Sequence, residues 1–161
     1  MQLKVLTYFL IMAFSLTVNL NGQSSCSGIN ASMLCSIAAS DINEFQHTTF
    51  SKNVLLQTRV AYKYSVVLVP GKDYIIGVCC ETAYKPVKFK IIDLQKDTIF
   101  YDNSQDDYKQ FIRFVVEGNP MNIIIEVTVL STDKIAKPGE ELRSCMGLKV
   151  LCRTIGKKGF Y

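Results

Sequence analysis

The chain has 161 residues and a formal net charge of +4 at pH 7, and 20% of its residues are charged. A charge this small, with one dense basic cluster at residues 153–158, gives no support for a nucleic-acid-binding surface. The length suits one domain with a single core and leaves little room for a second.

The first 22 residues have the features of a cleaved export signal. Residues 1–4 carry one positive charge, residues 5–20 are almost wholly apolar, and Gly22 offers a small residue for a cut before Gln23. The apolar run of 16 residues is shorter than the roughly 20 that a membrane-spanning helix needs. We therefore expect an exported protein that is periplasmic, on the cell surface or secreted.

This signal divides the chain into three parts. They are a signal peptide over 1–22, a lead-in over 23–52 and a folded domain over 53–161. A lipid-anchoring cut directly before Cys26 is the alternative, and it would leave five cysteines for pairing.

The lead-in differs in composition from the rest of the chain, being rich in Ser, Asn and Ala. Apolar residues recur at helix-like spacings between residues 32 and 46, which predicts a short helix. Ser40-Asp41 interrupts this pattern, so a partly ordered segment held by Cys26 and Cys35 is the alternative.

A two-residue alternation typical of β-strands begins at Val54 and continues to Leu68. A run of this length exceeds an ordinary strand, so we expect a break or bulge near Arg59. Residues 70–73 read Pro-Gly-Lys-Asp, a strong turn signal because proline presets one torsion and glycine accepts positive φ. We expect residues 74–80 to return from this turn as the second arm of a hairpin.

Alternation and turn signals recur to the end of the chain about every 8 to 12 residues. Residues 131–141, which contain Pro138-Gly139, form the longest loop of this region. We predict an all-β fold, a jelly-roll-like β-sandwich of about seven to eight antiparallel strands behind a short, partly helical lead-in. The further strands are expected at 86–92, 98–102, 108–116, around Ile123, Ile125, Val127 and Val129, and at 147–155.

Six cysteines lie downstream of the leader, where an oxidising compartment favours disulfides. No C-x-x-C pair of the kind that suits tetrahedral zinc is present, so we predict neither a metal site on the cysteines nor a cofactor. Adjacent strand residues point to opposite faces, so Cys79 and Cys80 are expected to serve different partners. The disulfide candidates are Cys26, Cys35, Cys79, Cys80, Cys145 and Cys152.

Strand alternation favours one pairing among the fifteen possible connectivities. Cys80 shares one strand face with Tyr74, Ile76 and Val78, and Cys152 shares another with Leu148 and Val150. If both faces point into the core, the two cysteines can staple it between the sheets. We therefore predict a Cys80–Cys152 disulfide and leave the other four cysteines unassigned.

Residues 68–76 read Leu-Val-Pro-Gly-Lys-Asp-Tyr-Ile-Ile and are followed by the alternating segments 87–93, 111–114 and 123–127. This rhythm, with its Gly-x-x-Tyr-apolar hairpin, resembles small exported β-sandwich domains of the pre-peptidase C-terminal type and exported proteins of Bacteroidetes-type bacteria. The resemblance covers about residues 54–130. It implies a jelly-roll-like scaffold with a carbohydrate-binding or folding-accessory role, and it carries over no binding residue.

The residues give little support to catalysis. His47, the one histidine, lies in a polar stretch, and the chain has no G-x-S-x-G elbow. Carboxylates available for a glycosidase pair mostly lie at turns, where aspartate bonds to the backbone. We expect no enzyme, with a carboxylate-based extracellular hydrolase as the alternative; its candidates are Asp93, Asp97, Asp102, Asp106, Asp107, Glu117 and Glu126.

One dense run of oxygen ligands occurs at residues 102–107. Calcium accepts six to eight oxygens from such loops, which makes Asp102, Asp106 and Asp107 candidate ligands. The run lacks the glycine and the distant glutamate of an EF-hand loop, so an ordinary acidic hairpin loop is the alternative.

Tyrosines could stack on a sugar, but inward-facing aromatics at period two are more often core residues, and no stacking residue is assigned. We predict an exported, non-catalytic β-sandwich with a binding or structural role, whose partner is a glycan, a peptide or an envelope protein. A small outer-membrane β-barrel is a further alternative, favoured by the leader, the alternating strands and the C-terminal Tyr161.

Overall fold

A computed structural model describes Cys26, Ile37, residues 41–130 and residues 141–156. The predicted signal peptide lies outside the described residues, as do Cys35 and nearly all of the predicted loop over 131–141. Of the helix-like part of the lead-in, the structure describes a single 3-10 turn at Ile42–Glu44. Within the described part of the chain, no helix is long and apolar enough to cross a membrane.

The described residues form nine strands. They are β1 (Gln46–His47), β2 (Lys52–Gln57), β3 (Ala61–Leu68), β4 (Lys72–Cys80), β5 (Val87–Asp93), β6 (Thr98–Asp102), β7 (Phe111–Val116), β8 (Met121–Val129) and β9 (Arg143–Thr154).

These strands form two antiparallel sheets. The first sheet has the order β2-β9-β4-β7, and the short β1 pairs with β9 beyond the end of β2. The second sheet has the order β3-β8-β5-β6. With β1 and β2 counted as one position, this is the strand order of a jelly roll, an eight-stranded fold built from two Greek keys. The predicted jelly-roll-like sandwich is confirmed.

The main core lies between the two sheets. The predicted inward residues Ile123, Ile125, Val127 and Val129 of β8 are at most 1% exposed, which confirms their direction. Alternate residues of both sheets complete the core, among them Leu56, Val66, Leu68, Tyr74, Ile76, Val78, Phe89, Ile91, Met146, Leu148 and Val150. Burial of these side chains is the main force that holds the sheets together.

The break predicted near Arg59 is present, because Arg59 has a φ of 64° and separates β2 from β3. The predicted hairpin between β3 and β4 is wrong. Gly71, with a φ of 74°, does turn the chain, but β3 pairs with β8 in one sheet whereas β4 pairs with β7 and β9 in the other. A jelly roll pairs strands that are distant in the chain, so a local turn signal does not reveal the partner.

The first sheet is buried on both faces. Eight consecutive residues of β4, Asp73 to Cys80, are buried, although only alternate residues face the main core. The lead-in covers the outer face and builds a minor core there, made of Phe45, Ile75 and Leu151 with Ile37, Ile42 and Phe111. The contact is close: a methyl group added at Gly77 would meet Ile37 Cδ1 at 3.1 Å.

Candidate functional site

Charged side chains fasten the lead-in to the first sheet. We call Asp41, Glu44, Asp73, Arg113 and Arg153 the arginine network. Asp73, on β4, is 4% exposed. Its carboxylate accepts hydrogen bonds from Arg113 Nη2 at 2.6 Å and from Arg153 Nε at 3.0 Å. Two arginine cations therefore share the single negative charge of one buried carboxylate. Further negative charge is needed to balance the second cation.

The lead-in supplies that negative charge. Asp41 lies 3.0 Å from Arg113 Nη1 and 2.9 Å from Arg153 Nη1, and Glu44 also binds Arg153 Nη1. Burial raises the pKa of Asp41, but Arg113, a backbone hydrogen bond and Arg153 together hold that pKa below its ordinary value.

Phe45 completes this attachment, because its ring lies 5.1 Å from Arg113 Cζ and 4.8 Å from Arg153 Cζ. Both distances suit cation–π contacts. Every member of the network is engaged within the fold, so its role is to hold the lead-in against the sheet.

A disulfide also attaches the same covering segment. Cys26 and Cys145 are bonded, and Cys79 is also in a disulfide. The expectation that the adjacent cysteines serve two different partners is wrong for Cys80. Cys79 is bonded, whereas Cys80 carries a free thiol against the main core. Because a lipid anchor would occupy the sulfur of Cys26, the bond to Cys145 overturns the alternative of lipidation at that residue.

The predicted Cys80–Cys152 disulfide is wrong, because both residues are free thiols. The two side chains share the core side of the sheet as expected, but β4 and β9 are neighbours in one sheet. Tyr74 lies opposite Cys152 and Cys80 lies opposite Met146. The two cysteines are therefore six positions apart along paired strands, about 20 Å, which is too far for a bond.

The two thiols are expected to differ sharply in reactivity. Cys80 is 1% exposed, and burial raises the pKa of its thiol to about 11, whereas Cys152 is partly exposed. Iodoacetamide at neutral pH should label Cys152 and leave Cys80 unmodified, because the reagent attacks accessible thiolate. Peptide mass spectrometry before and after unfolding measures this difference, with both residues labelled in the unfolded, unreduced protein. An unfolded protein that takes up no label at either residue would contradict the assignment.

The calcium ligands predicted at residues 102–107 do not converge. In the described part of the chain, no three acidic, histidine or cysteine side chains form a group that could hold a metal. Asp102 accepts from the Ser104 hydroxyl at 2.6 Å, and Asp106 accepts from the Tyr101 hydroxyl at 3.0 Å. Asp107 occupies a turn position with positive φ.

A buried amide holds this loop instead. Asn103 is 0% exposed; its Nδ2 donates to the carbonyls of Val87 and Lys109, and its Oδ1 accepts from the Phe89 amide at 2.8 Å. These three bonds satisfy backbone groups of β5 and of the loop. The acidic run is therefore a structural loop, as its alternative predicted.

The catalytic candidates His47, Asp102 and Glu126 lie on the outer surfaces of the two sheets. His47 lies exposed on β1 and, with the minor core and Lys149, borders a depression of about 450 Å³. Asp102 and Glu126 flank Lys90 on the outer face of the second sheet, at 4.0 Å and 3.9 Å from its Nζ. Burial raises the pKa of Asp102, but hydrogen bonds from Ser104 and the charges of Lys88 and Lys90 bring it below its ordinary value, the opposite of what a general acid needs.

We call the outer surface of the second sheet the open face, because no other described segment covers it. One row of directly opposed residues crosses all four strands: Lys63, Glu126, Lys90 and Asp102. Lys63 Nζ lies 3.5 Å from Glu126, so the row is an unbroken ladder of alternating charge. Each pair is partly solvated, and such pairs contribute little to stability.

The neighbouring row on the open face is apolar. Ile124, Ile92 and Ile99 lie directly opposite one another on β8, β5 and β6, and Ser65 ends the row on β3. Ile99 is 57% exposed. Val67 and Leu94, beyond this row, are 50% and 55% exposed, so aliphatic side chains extend along one end of the face.

No protein-family model matches the chain, and no curated protein is similar to it. A solved structure that is similar is the crystal structure of the periplasmic inhibitor of g-type lysozyme from Aeromonas hydrophila, at 10% identity and a TM-score of 0.40. The similarity covers 62% of this chain and 83% of the inhibitor.

Sequence reasoning missed both the arginine network and the open face. A signal for the open face was present, since Val67 breaks the alternation of β3 as an apolar residue at an outward position, and Ile92 and Ile124 do the same on their strands. The signal for the network was weaker. Asp73 and Arg113 are charges at the outward positions of apolar strands, which solvated side chains also occupy.

Proposed function

We propose that this chain is an exported, non-catalytic β-sandwich module that binds a protein partner through its open face. The observation that carries the proposal is that the lead-in covers the outer face of the first sheet, whereas no described segment covers the outer face of the second. The first sheet is covered by the lead-in, which is attached through the Cys26–Cys145 disulfide, the arginine network and the minor core. The open face instead presents a row of isoleucines that includes Ile99, 57% exposed.

The chemistry of the open face favours a protein over a glycan. Contiguous exposed apolar surface rimmed by polar residues is typical of protein interaction sites. The row is aliphatic, and a charged ladder borders it on one side. Sugar sites instead present aromatic faces for stacking, and Tyr62, Tyr64, Tyr74 and Tyr101 pack on the main core.

Two further observations support export and the absence of catalysis. Disulfides such as Cys26–Cys145 form and persist in oxidising compartments. Asp102 and Glu126, which lie on either side of Lys90, are ion-paired to lysines on an exposed sheet. The jelly-roll order also suits the scaffold of the pre-peptidase C-terminal domains that the sequence resembles, a kinship that we keep as a proposal.

A photo-crosslinking residue placed at two positions in the producing cell tests the proposal. At Ile99, on the open face, we expect discrete protein adducts after irradiation, because this side chain would lie inside the interface. At Val115, which is 46% exposed on the outer side of β7 in the first sheet, we expect none. Immunoblots of the irradiated cells compare the two.

A second substitution tests whether the adducts report specific binding. Ile124→Lys places a charge within the apolar row, two strands away from Ile99, and should abolish the adducts because burying an unpaired charge is costly. Equal adducts at Ile99 and Val115, or adducts that survive Ile124→Lys, would contradict the proposal. So would a glycan that the purified protein binds through another surface while Ile99 yields no adduct.

A further inference from the structure

We infer that the partner of the open face is a second copy of this chain, docked face to face about a two-fold axis that runs parallel to the strands between β8 and β5. The inference rests on the proposed function, because both use the open face. Its basis is the pattern of charged and apolar side chains across the four strands. When a second copy is rotated by half a turn about the proposed axis, its pattern complements that of the first copy.

The charged row shows this complementarity. In the order β3, β8, β5, β6 its charges are positive, negative, positive and negative, from Lys63, Glu126, Lys90 and Asp102. Rotation about the proposed axis reverses the order of the strands and keeps the row at the same height. Lys63 then faces Asp102 of the second copy, and Glu126 faces Lys90 of the second copy, so every charge meets its opposite.

The apolar row is also compatible with the two-fold rotation. Ile124 faces Ile92 of the second copy at the centre, and Ser65 faces Ile99 of the second copy at each side. On the other side of the charged row, Lys88 faces Thr128 of the second copy, since the two are directly opposed within one chain. Lys88 therefore meets no like charge.

The size of the face suits a reversible dimer. Four strands about 4.8 Å apart and six residues of about 3.3 Å each make a surface about 20 Å by 20 Å. Because side chains make each face uneven, its accessible surface exceeds this flat area. Two such faces bury about 1,000 Å² in total, which is at the lower end of the areas buried in specific interfaces. We therefore expect dissociation in the range of about 1 to 100 μM rather than a permanent dimer.

Sedimentation velocity of the purified protein over a concentration series tests the inference. We expect a monomer–dimer equilibrium that weakens as salt is added, because the charged row faces its own complement across the interface. A protein that stays monomeric up to about 1 mM would overturn the inference, since a face of this size should associate below that concentration.

Charge reversal separates this arrangement from unspecific association. Lys90→Glu sets like charges against each other at two symmetric contacts and should raise the dissociation constant at least about tenfold. Adding Glu126→Lys gives the order positive, positive, negative, negative, which again is complementary under the rotation, and should restore the constant to within about threefold. Both changes affect partly solvated pairs that contribute little to stability, so the variants should stay folded, as circular dichroism checks.

Two substitutions of exposed apolar residues, one on each sheet, supply a matched comparison. Ile99→Ser should weaken the dimer at least about tenfold, whereas Val115→Ser on the other sheet should leave it unchanged. Dimerisation that Lys90→Glu or Ile99→Ser leaves intact would overturn the inference. A monomer that still forms adducts at Ile99 with a different protein would also overturn it, while leaving the proposed binding function standing; a monomer with no adducts would overturn both.

Discussion

Replacing Cys26 and Cys145 together by alanine is expected to lower the free energy of unfolding by about 5 kcal/mol. The two residues are 119 positions apart, so their bond removes much of the conformational freedom of the unfolded chain, and the entropy of closing so long a loop sets the size of the effect. The chain has no tryptophan. Urea unfolding followed by circular dichroism or tyrosine fluorescence therefore provides the measurement.

Cys152→Ala is the matched control, because it also removes a cysteine sulfur from β9 but breaks no bond. Cys152 is partly exposed at the margin of the main core, and its loss should cost about 1 kcal/mol or less. Equal losses in the two variants would contradict the assigned bond. A correct bond also predicts that iodoacetamide labels neither Cys26 nor Cys145 in the unfolded, unreduced protein.

Asp73→Asn is expected to lower the free energy of unfolding by about 3 kcal/mol. The amide keeps the shape of the side chain but removes the buried negative charge that Arg113 and Arg153 share. Two guanidinium groups then remain side by side with less compensation, and removing one partner of a buried ion pair is strongly destabilising. The same urea experiment measures the loss.

Glu141→Gln makes the same chemical change at an exposed position. Glu141 pairs with Arg143 at 3.1 Å, and both side chains are more than half exposed, so the change should cost less than about 0.5 kcal/mol. If Asp73→Asn lowered the free energy of unfolding as little as Glu141→Gln does, the arginine network would not hold the lead-in against the sheet as described. Loosening of the lead-in in the Asp73 variant should also raise amide hydrogen exchange around Phe45, which packs on both arginines.

Both predictions concern the same structural feature, the attachment of the lead-in to the outer face of the first sheet. Without that segment, Ile75 and Leu151, now at most 4% exposed, would face water. The second sheet has no such cover among the described residues. The face that we propose for a partner is therefore the one that the described residues leave uncovered.

Local patterns in the sequence predicted the strands well, because a strand of a sandwich alternates between core and surface. The inward residues of β8 and the break at Arg59 both follow from period-two alternation and turn chemistry. β9 was harder to delimit. It begins at Arg143 rather than near Gly147, since the lead-in buries its outer side and hides the alternation.

Pairings between distant residues could not be predicted in this way. The alternation correctly placed Cys80 and Cys152 on the core side of their strands. Alternation shows only which side of a sheet a residue faces, and not which strands are neighbours. The same limit explains the wrong β3–β4 hairpin and the candidate calcium loop, where Asn103 rather than a cation holds the backbone.

The sequence by itself determined the all-β class, the positions of most strands and the core-facing residues of the alternating strands, because these depend on residues that are close along the chain. The tertiary structure alone decided the jelly-roll order, the Cys26–Cys145 bond, the arginine network and the rows of the open face. Each of these joins residues from distant strands, and strand order is set by the packing of the whole core rather than by any local pattern.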